Sequence, residues 1–394
     1  MARKKVSQNE DQGSASGKTL AERLSGLDKI CSEATKNGMA LAGRIDTTPE
    51  IAERLTLKYI PTPSDDINML VGGGIPRGKL TVVSGMPDSG KTSILLETIS
   101  KNMKKDLNMV CVWIESENSI DKDTILKLHK IDSSRFYFIA QDKKYSAEGI
   151  GDLLTNLLSS DLKPDMVVIN SLKMLTTKNE TDRSLSKQSM AEQARFNSRL
   201  MNKLVPLLAE SNCALAIVQP LSTSLTVLMG DPYMLAGGLA IRYAASMIWE
   251  FRKQSVLDSD PIGKEEGMKI KMFCRKNHCL TDRFPYGSVI YYVEYGRGIE
   301  QTLSLLKLLI DNNVLVQRGA WIYLLDEKGE KQEEWSWNSK AMFKQDMDAN
   351  PEKLETLRGL LNGANMIINA TDEEIAEIEA EEQLIEDTMK ELGE

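Results

Sequence analysis

Eight consecutive residues, Gly85, Met86, Pro87, Asp88, Ser89, Gly90, Lys91 and Thr92, fit the pattern G-x-x-x-x-G-K-[ST] and leave this chain little choice of local fold. The apolar run Leu80–Val83 before them reads as a buried strand, and Ser93–Ser100 after them as a helix. Gly85 and Gly90 let the backbone turn tightly enough for successive N–H groups to point inward at a polyphosphate. The dipole of the following helix adds partial positive charge at the same place. Lys91 brings a full charge to the outer phosphates, and the Thr92 hydroxyl suits Mg²⁺, a hard cation that prefers oxygen. A strand, a glycine loop and a helix in this order imply an α/β protein that binds a nucleotide.

The chain has 394 residues, 41% hydrophobic and 27% charged, an ordinary globular composition with room for more than one domain. No apolar run approaches the ~20 residues that span a bilayer, and residues 1–18 are basic and then polar, unlike a secretory signal. Five cysteines without C-x-x-C spacing, three of them in apolar runs, read as reduced packing residues. A cytosolic location is expected. The net charge of −8 is unevenly spread: residues 371–394 hold eleven Asp or Glu and one Lys, while the rest of the chain carries a net of +2. Such a tail is either a solvated helix end or a competitor for a basic nucleic-acid surface, released by Mg²⁺ or salt.

Residues 1–18 read as disordered. Thr19–Lys36 has helical spacing, and Thr48–Tyr59 is a second helical candidate entered through Pro49, so 19–60 is expected to be a helical oligomerisation region. From Leu80 strands and helices alternate. Met109–Ile114, Phe136–Ala140, Asp165–Ile169 and Ala214–Val218 are expected strands, and Ser119–Lys130, Ser146–Leu158 and Met190–Ser211 expected helices. This order predicts a mostly parallel sheet covered on both faces, over a core of residues 61–300. Ala245–Phe251, Met268–Phe273 and Val289–Glu294 read as hairpin-like strands. Helical patterning at Leu303–Asn312 and Pro351–Leu361 then suggests a small α/β domain over 301–370, ahead of the tail. Trp335 and Trp337 fit a short strand with one ring exposed and one buried.

Three strand ends offer chemistry. Met109–Ile114 runs into Glu115-Ser-Glu117, where one carboxylate can orient a water beside a terminal phosphate. Asp165–Ile169 runs into Asn170, an amide where an aspartate normally faces the Mg²⁺ shell, which predicts slow hydrolysis. Ala214–Val218 runs into Gln219 and then Pro220–Ala236, read as a seventeen-residue loop without secondary structure; Thr176–Ser189 is a second such stretch.

These segments carry a resemblance. GMPDSGKT, IESENSID, PDMVVINSLKML, MAEQARFNSRLMNKL, AIVQPLSTSLTVLMGDPYMLAGGLAIRYAAS, RKNH and VEYGRGIE occur in the order found in RecA-type recombinases, over roughly residues 60–325. The chain resembles that family, with its divergence between motifs and its acidic tail closer to a bacteriophage-type member. The resemblance implies a RecA-like P-loop ATPase core, its twisted sheet lying between helices, with small N-terminal helical and C-terminal α/β appendages. It implies that Glu117 activates water, that Gln219 senses the γ-phosphate, and that Asp121 contacts adenine. Thr124 stands where bacterial members place an aromatic ring. Lys276 and His278 fall where the family reaches across a subunit interface to the neighbour's nucleotide.

For DNA the resemblance points to Arg195, Ser198 and Arg199, to backbone N–H groups at Gly237 and Gly238, and to Met190 and Leu225 as apolar wedges between bases. The implied protein uses ATP and Mg²⁺, forms a helical filament on single-stranded DNA and exchanges strands with duplex DNA. Single-strand-binding and loader proteins would assist it, with no membrane partner, in the cytoplasm of a cell that is phage-infected if the chain is of phage type. Two other readings remain open from the residues: a nucleotide-binding regulatory or structural filament with little turnover, and a hexameric replicative helicase.

Overall fold

A computed structural model describes residues 19–141, 146–178, 190–223, 233–235, 239–256, 262–280, 287–326 and 328–363. The chain divides into two units, Met1–Leu57 and Lys58–Glu394. In the first, α1 (Leu20–Lys36) starts at a capping box. The Thr19 hydroxyl accepts from the Glu22 N–H at 3.3 Å, and the Glu22 carboxylate accepts from the Thr19 N–H at 2.8 Å. The second helix, α2 (Pro49–Leu55), is shorter than its sequence pattern suggests. Tyr59 and Ile60 leave it to form a two-residue strand β1, paired antiparallel with β2 (Ile75–Pro76) across α3 (Asp65–Val71).

The second unit is built on one large sheet. Six strands run parallel, in the spatial order β5 (Phe136–Ala140), β4 (Cys111–Glu115), β6 (Met166–Asn170), β7 (Ala214–Thr223), β3 (Leu80–Gly85) and β9 (Met247–Gln254). Beyond β9 the antiparallel strands β10 (Gly267–Asn277), β11 (Gly287–Glu294) and β12 (Gly298–Glu300) continue it. Alternation along each strand sorts the core into two layers. Val83, Trp113, Val168 and Val218 face one layer with α4 (Lys91–Lys105). Val82, Ile114, Ile169 and Ile217 face the other with α5 (Ala147–Ser159) and α6 (Met190–Ser211). This is the mixed α/β core with a mostly parallel sheet that the sequence predicts. Helix α7 (Leu239–Ala244) precedes β9.

A third apolar cluster lies under the three-stranded sheet β13 (Val316–Arg318), β14 (Trp321–Leu325) and β15 (Lys331–Trp337), with α8 (Thr302–Asp311), α9 (Lys340–Ala349) and α10 (Pro351–Gly363). Trp337 is buried there and its indole N–H donates to Asp346 at 2.8 Å, while Trp335 is only half-buried. All five cysteines are free, and Cys111, Cys213 and Cys274 are buried.

Two expectations fail. Ser119–Lys130 is no regular α-helix: Asn118 takes a left-handed conformation, Asp121 accepts the Thr124 N–H at 2.7 Å, and a wide π-turn spans Thr124–Leu128. The wide turn lets Ile120, Ile125 and Ile131 all pack on the α4 layer. Nor is Pro220–Ala236 free of secondary structure. The strand from Ala214 continues through Gln219 and Pro220 to Thr223, and β8 (Tyr233–Leu235) pairs back on it with Leu221 opposite Leu235 and Thr223 opposite Tyr233. Local composition hid a hairpin that only cross-strand pairing reveals. No described helix is long and apolar enough to cross a membrane.

Candidate functional site

The register of the parallel strands brings Gly85, Gln219, Asn170 and Glu115 to one edge of the sheet. Gly85 is paired with Pro220 and Ser84 with Gln219, while Asn170 lies opposite Val218 and Glu115 opposite Asn170. The loop at this edge needs its glycines. Gly85 has φ +156°, and a Cβ there would stand 2.5 Å from both the Phe251 carbonyl oxygen and Ser89 Oγ. Gly90 has φ +83°, and the non-glycine Asp88 takes φ +57°. Met86, Pro87 and Asp88 are exposed at the crest, and Ser89 is fully buried beneath them.

Lys91 opens α4, and its ammonium donates to the Met86 carbonyl inside the loop at 2.6 Å. Partial burial lowers its pKa, opposed by the carboxylates of Glu117 and Asp88. Thr92 is half-buried in the same first turn.

Glu115 and Glu117 have separate places. Glu115 is 1% exposed and accepts from the Asn170 amide at 2.8 Å, the Trp113 indole N–H at 3.0 Å and the Glu117 N–H at 3.0 Å. It holds the two strand ends together. Glu117 is exposed, on the side that the Lys91 ammonium senses. The sequence offers Glu115 and Glu117 for one role; only the pairing of β4 with β6 shows Glu115 as the acid bonded to Asn170.

Several buried polar atoms at this edge have no partner among the described residues: Asn170 Oδ1, Ser171 Oγ, and both the oxygen and nitrogen of the Gln219 amide. Leaving such groups unpaired costs about 1–3 kcal/mol each. Their convergence with the phosphate loop fits a site for a nucleotide and its hydrated metal ion.

Asp121 lies on the exposed segment before the π-turn, and the hydrogen bond from the Thr124 N–H lowers its pKa. Beside α4, the turn joining β11 and β12 carries Tyr295, 53% exposed, on the wall of a cavity that Ser93 also lines. Tyr295 is a ring the sequence reading overlooked, although it stands inside the quoted segment VEYGRGIE.

Lys276 and His278 do not join this edge. Lys276 pairs with Ile248, which pairs with Val82, three residues back from Gly85 and so about 10 Å along the sheet. Its ammonium donates to the Arg242 and Tyr243 carbonyls at the end of α7, at 2.8 and 3.4 Å. Burial, and then Arg242, lowers its pKa. His278 is exposed, and its N–H donates to the Ser246 carbonyl.

On α6, Arg195 and Arg199 are exposed one turn apart and Ser198 is half-buried beside them. The side chain of Met190, and all of Leu225, Gly237 and Gly238, lie outside the described residues, as do 1–18, most of Thr176–Ser189 and the acidic tail.

Residues 47–300 match the family model of the RecA N-terminal domain. The chain belongs to the RecA family. Its relatives include the Protein RecA of Aquifex aeolicus, 26% identical over 311 residues, 78% of this chain and 87% of that one. That of Citrifermentans bemidjiense is 27% identical over 335 residues, 84% and 92% of the two chains. One from Mycoplasma mycoides is 30% identical over 262 residues, 66% and 72%. This RecA-family chain is thereby placed among ATP-binding proteins of DNA recombination and repair. Its match takes in the phosphate loop, both strand-end carboxylates and the Gln219 strand.

Proposed function

We propose that this protein is an ATP-dependent strand-exchange protein that polymerises on single-stranded DNA and pairs it with a homologous duplex. The observation that carries the reading is Gln219. Its buried, unpartnered amide lies beside the phosphate-loop strand, and the same strand continues four residues on to Thr223 in the hairpin base. A group that gains a hydrogen bond when a terminal phosphate arrives is thus built into the element that leads to the proposed DNA loop.

In this reading the loop N–H groups and Lys91 hold the phosphates, and Thr92 and the Asn170 amide oxygen hold a hydrated Mg²⁺. The metal supplies charge neutralisation at the phosphates. Glu117 orients the attacking water and accepts its proton. Asp121 and the Tyr295 ring flank the base, the ring taking the part that Thr124 lacks. Glu115 sets its carboxyl group within hydrogen-bond distance of Asn170, so an acidic side chain from the next strand stands beside the position where the aspartate is missing. An aspartate at 170 would instead set two carboxylates together.

The placement of Lys276 and His278 away from their own loop favours service to a neighbouring subunit's nucleotide. Arg195, Ser198 and Arg199, with the backbone at Gly237 and Gly238 and the side chains of Met190 and Leu225, would hold the DNA strand without reading its sequence. The exposed stripe of α1, with Leu20, Leu27 and Ile30 all more than half exposed, suits docking on an adjacent subunit.

The test is ATP hydrolysis with and without single-stranded DNA, beside Glu117→Gln, together with negative-stain images of the ATP–DNA mixture. DNA-stimulated turnover, lost by roughly 100-fold or more in the variant, and helical filaments are expected. A filament with no DNA-stimulated hydrolysis would instead support a nucleotide-binding structural polymer, the reading that Asn170 favours.

A further inference from the structure

Glu97 stands on α4 about 9 Å along the axis from Lys91, the residue that opens the helix at the phosphate loop. Its carboxyl group reaches out of the helix to the β11–β12 turn, the segment that carries Tyr295. Glu97 Oε2 accepts the Ile299 N–H at 3.0 Å. The turn is shaped to admit it: Gly298 has φ +95°, and a Cβ there would stand 2.7 Å from Glu97 Oε1 and 2.9 Å from Oε2. On its other side the turn is pinned to the sheet, where the Tyr295 N–H donates to the Glu266 carbonyl at 2.8 Å. Ser93, Glu97, Tyr295, Gly298 and Ile299 all line one cavity of about 490 Å³.

The inner side of this contact meets the phosphate loop. Tyr291 of β11 is fully buried, and a Cβ on Gly90 would stand 3.5 Å from its hydroxyl oxygen, so the ring abuts the loop. Burial, and then the Glu97 carboxylate, raises the Tyr291 pKa, which puts the acid within electrostatic reach of the phenol. Glu97 Oε1 and the Tyr291 hydroxyl both lack a partner among the described residues, a costly arrangement for buried polar atoms. An apolar side chain at 97 would pack against β12 without that cost. Burial therefore does not account for an acid here, whereas its bond to the turn does.

We propose that Glu97 is a positioning residue: it fixes the turn that carries Tyr295 at one distance from the phosphate loop, and so selects a nucleoside triphosphate over a bare triphosphate. Helix α4 is the rigid rod between the two contacts, with the phosphates at its first turn and the β11–β12 turn fastened at its second. A ligand that engages only the loop does not feel that distance. One that reaches both ends, with phosphates and base, does. A turn already held in place contributes to affinity because binding no longer has to order it. The part of Tyr295 in the base site rests on the function proposed above; the fastening of its turn to α4 does not.

Calorimetric titration of the intact chain in Mg²⁺ without DNA tests it, with the β,γ-imido analogue of ATP and inorganic tripolyphosphate as the two probes. Glu97→Ala should weaken the analogue by roughly fivefold or more, the worth of one lost hydrogen bond, and leave tripolyphosphate within about twofold. Glu97→Gln keeps an acceptor for the Ile299 N–H and should restore the native affinity. Gly298→Ala leaves α4 untouched but displaces the carboxyl group from the turn. It should repeat the Glu97→Ala pattern, and it serves if Glu97→Ala does not fold. Equal weakening of both probes, or of neither, would overturn the role in selection. Tyr295→Ala separates this inference from the base site on which it rests. Where that variant itself weakens the analogue, adding Glu97→Ala should cost no more than about twofold further, and full additivity would refute positioning through that ring. A silent Tyr295→Ala beside a selective Glu97→Ala would instead take the tyrosine out of the base site and leave the spacing role standing.

Discussion

Helices α1 and α4 are nearly equal in length, 17 and 15 residues, and both are amphipathic, yet α4 buries eight residues and α1 none. Each is well formed locally. α1 has a reciprocal capping box, whereas α4 has no side-chain cap and starts from a left-handed glycine. The difference is the surface offered to them. α4 lies on a sheet that covers Ile94, Leu95, Leu96 and Ile99, while the first unit has no sheet to cover Leu20, Leu24 and Leu27 of α1 among its described residues. A stripe of this kind suits the subunit contact proposed above.

The largest break in this comparison is a core truncation. Leu95→Ala should lower unfolding free energy by about 2–5 kcal/mol, read by urea titration, because a fully buried side chain leaves a cavity. A loss below 1 kcal/mol would mean that α4 is not held by burial. Next comes the acid that α4 buries, in contrast with the exposed Glu22 of α1. Burial raises the Glu97 carboxyl to about 7 from 4.5, against the Ile299 N–H and Lys104, which lower it. The native state therefore holds a proton that the unfolded chain has released between those values. Stability should fall as pH rises from about 4.5 to 7, by up to about 3 kcal/mol. Glu97→Gln should remove that dependence, matching the unmodified chain below pH ~4.5 and exceeding it above pH ~7. Parallel pH profiles would refute this.

On the α1 side the expected effects move from folding to assembly. Leu27→Asp should leave the melting temperature of the monomer within error and raise the concentration needed for filament assembly by roughly tenfold, seen by light scattering. A drop in monomer stability would mean the stripe is covered within the chain. The smallest effect belongs to Thr19→Ala, which removes one half of the capping box and should cost about 1 kcal/mol of α1 helicity. Circular dichroism of the intact chain would report it, with assembly weakened and ATP binding unchanged.

Much of the core was legible because its signals are local. Glycines that need positive φ announce the phosphate loop, and the Met190–Ser211 helix stands as its apolar spacing predicts. The site was legible only in part. Glu117 and Lys91 come together, but Glu115 proved to be the buried strut between two strands, and Lys276 turned to the carbonyls of α7. Each of these depends on which strand lies beside which, information that no spacing along the chain contains.

The sequence alone determined the strand–loop–helix that can grip a polyphosphate, since a backbone conformation open mainly to glycine is a local demand. It also determined the alternation of strands and helices that makes a parallel core, and the charge of the tail. Tertiary structure decided the rest: that Asn170 has a carboxylate beside it, that the Gln219 strand runs on into a hairpin, and that Lys276 turns to the carbonyls of α7. Pairing register and helix docking set those neighbours, because hydrogen bonds and burial act between residues that the chain keeps far apart.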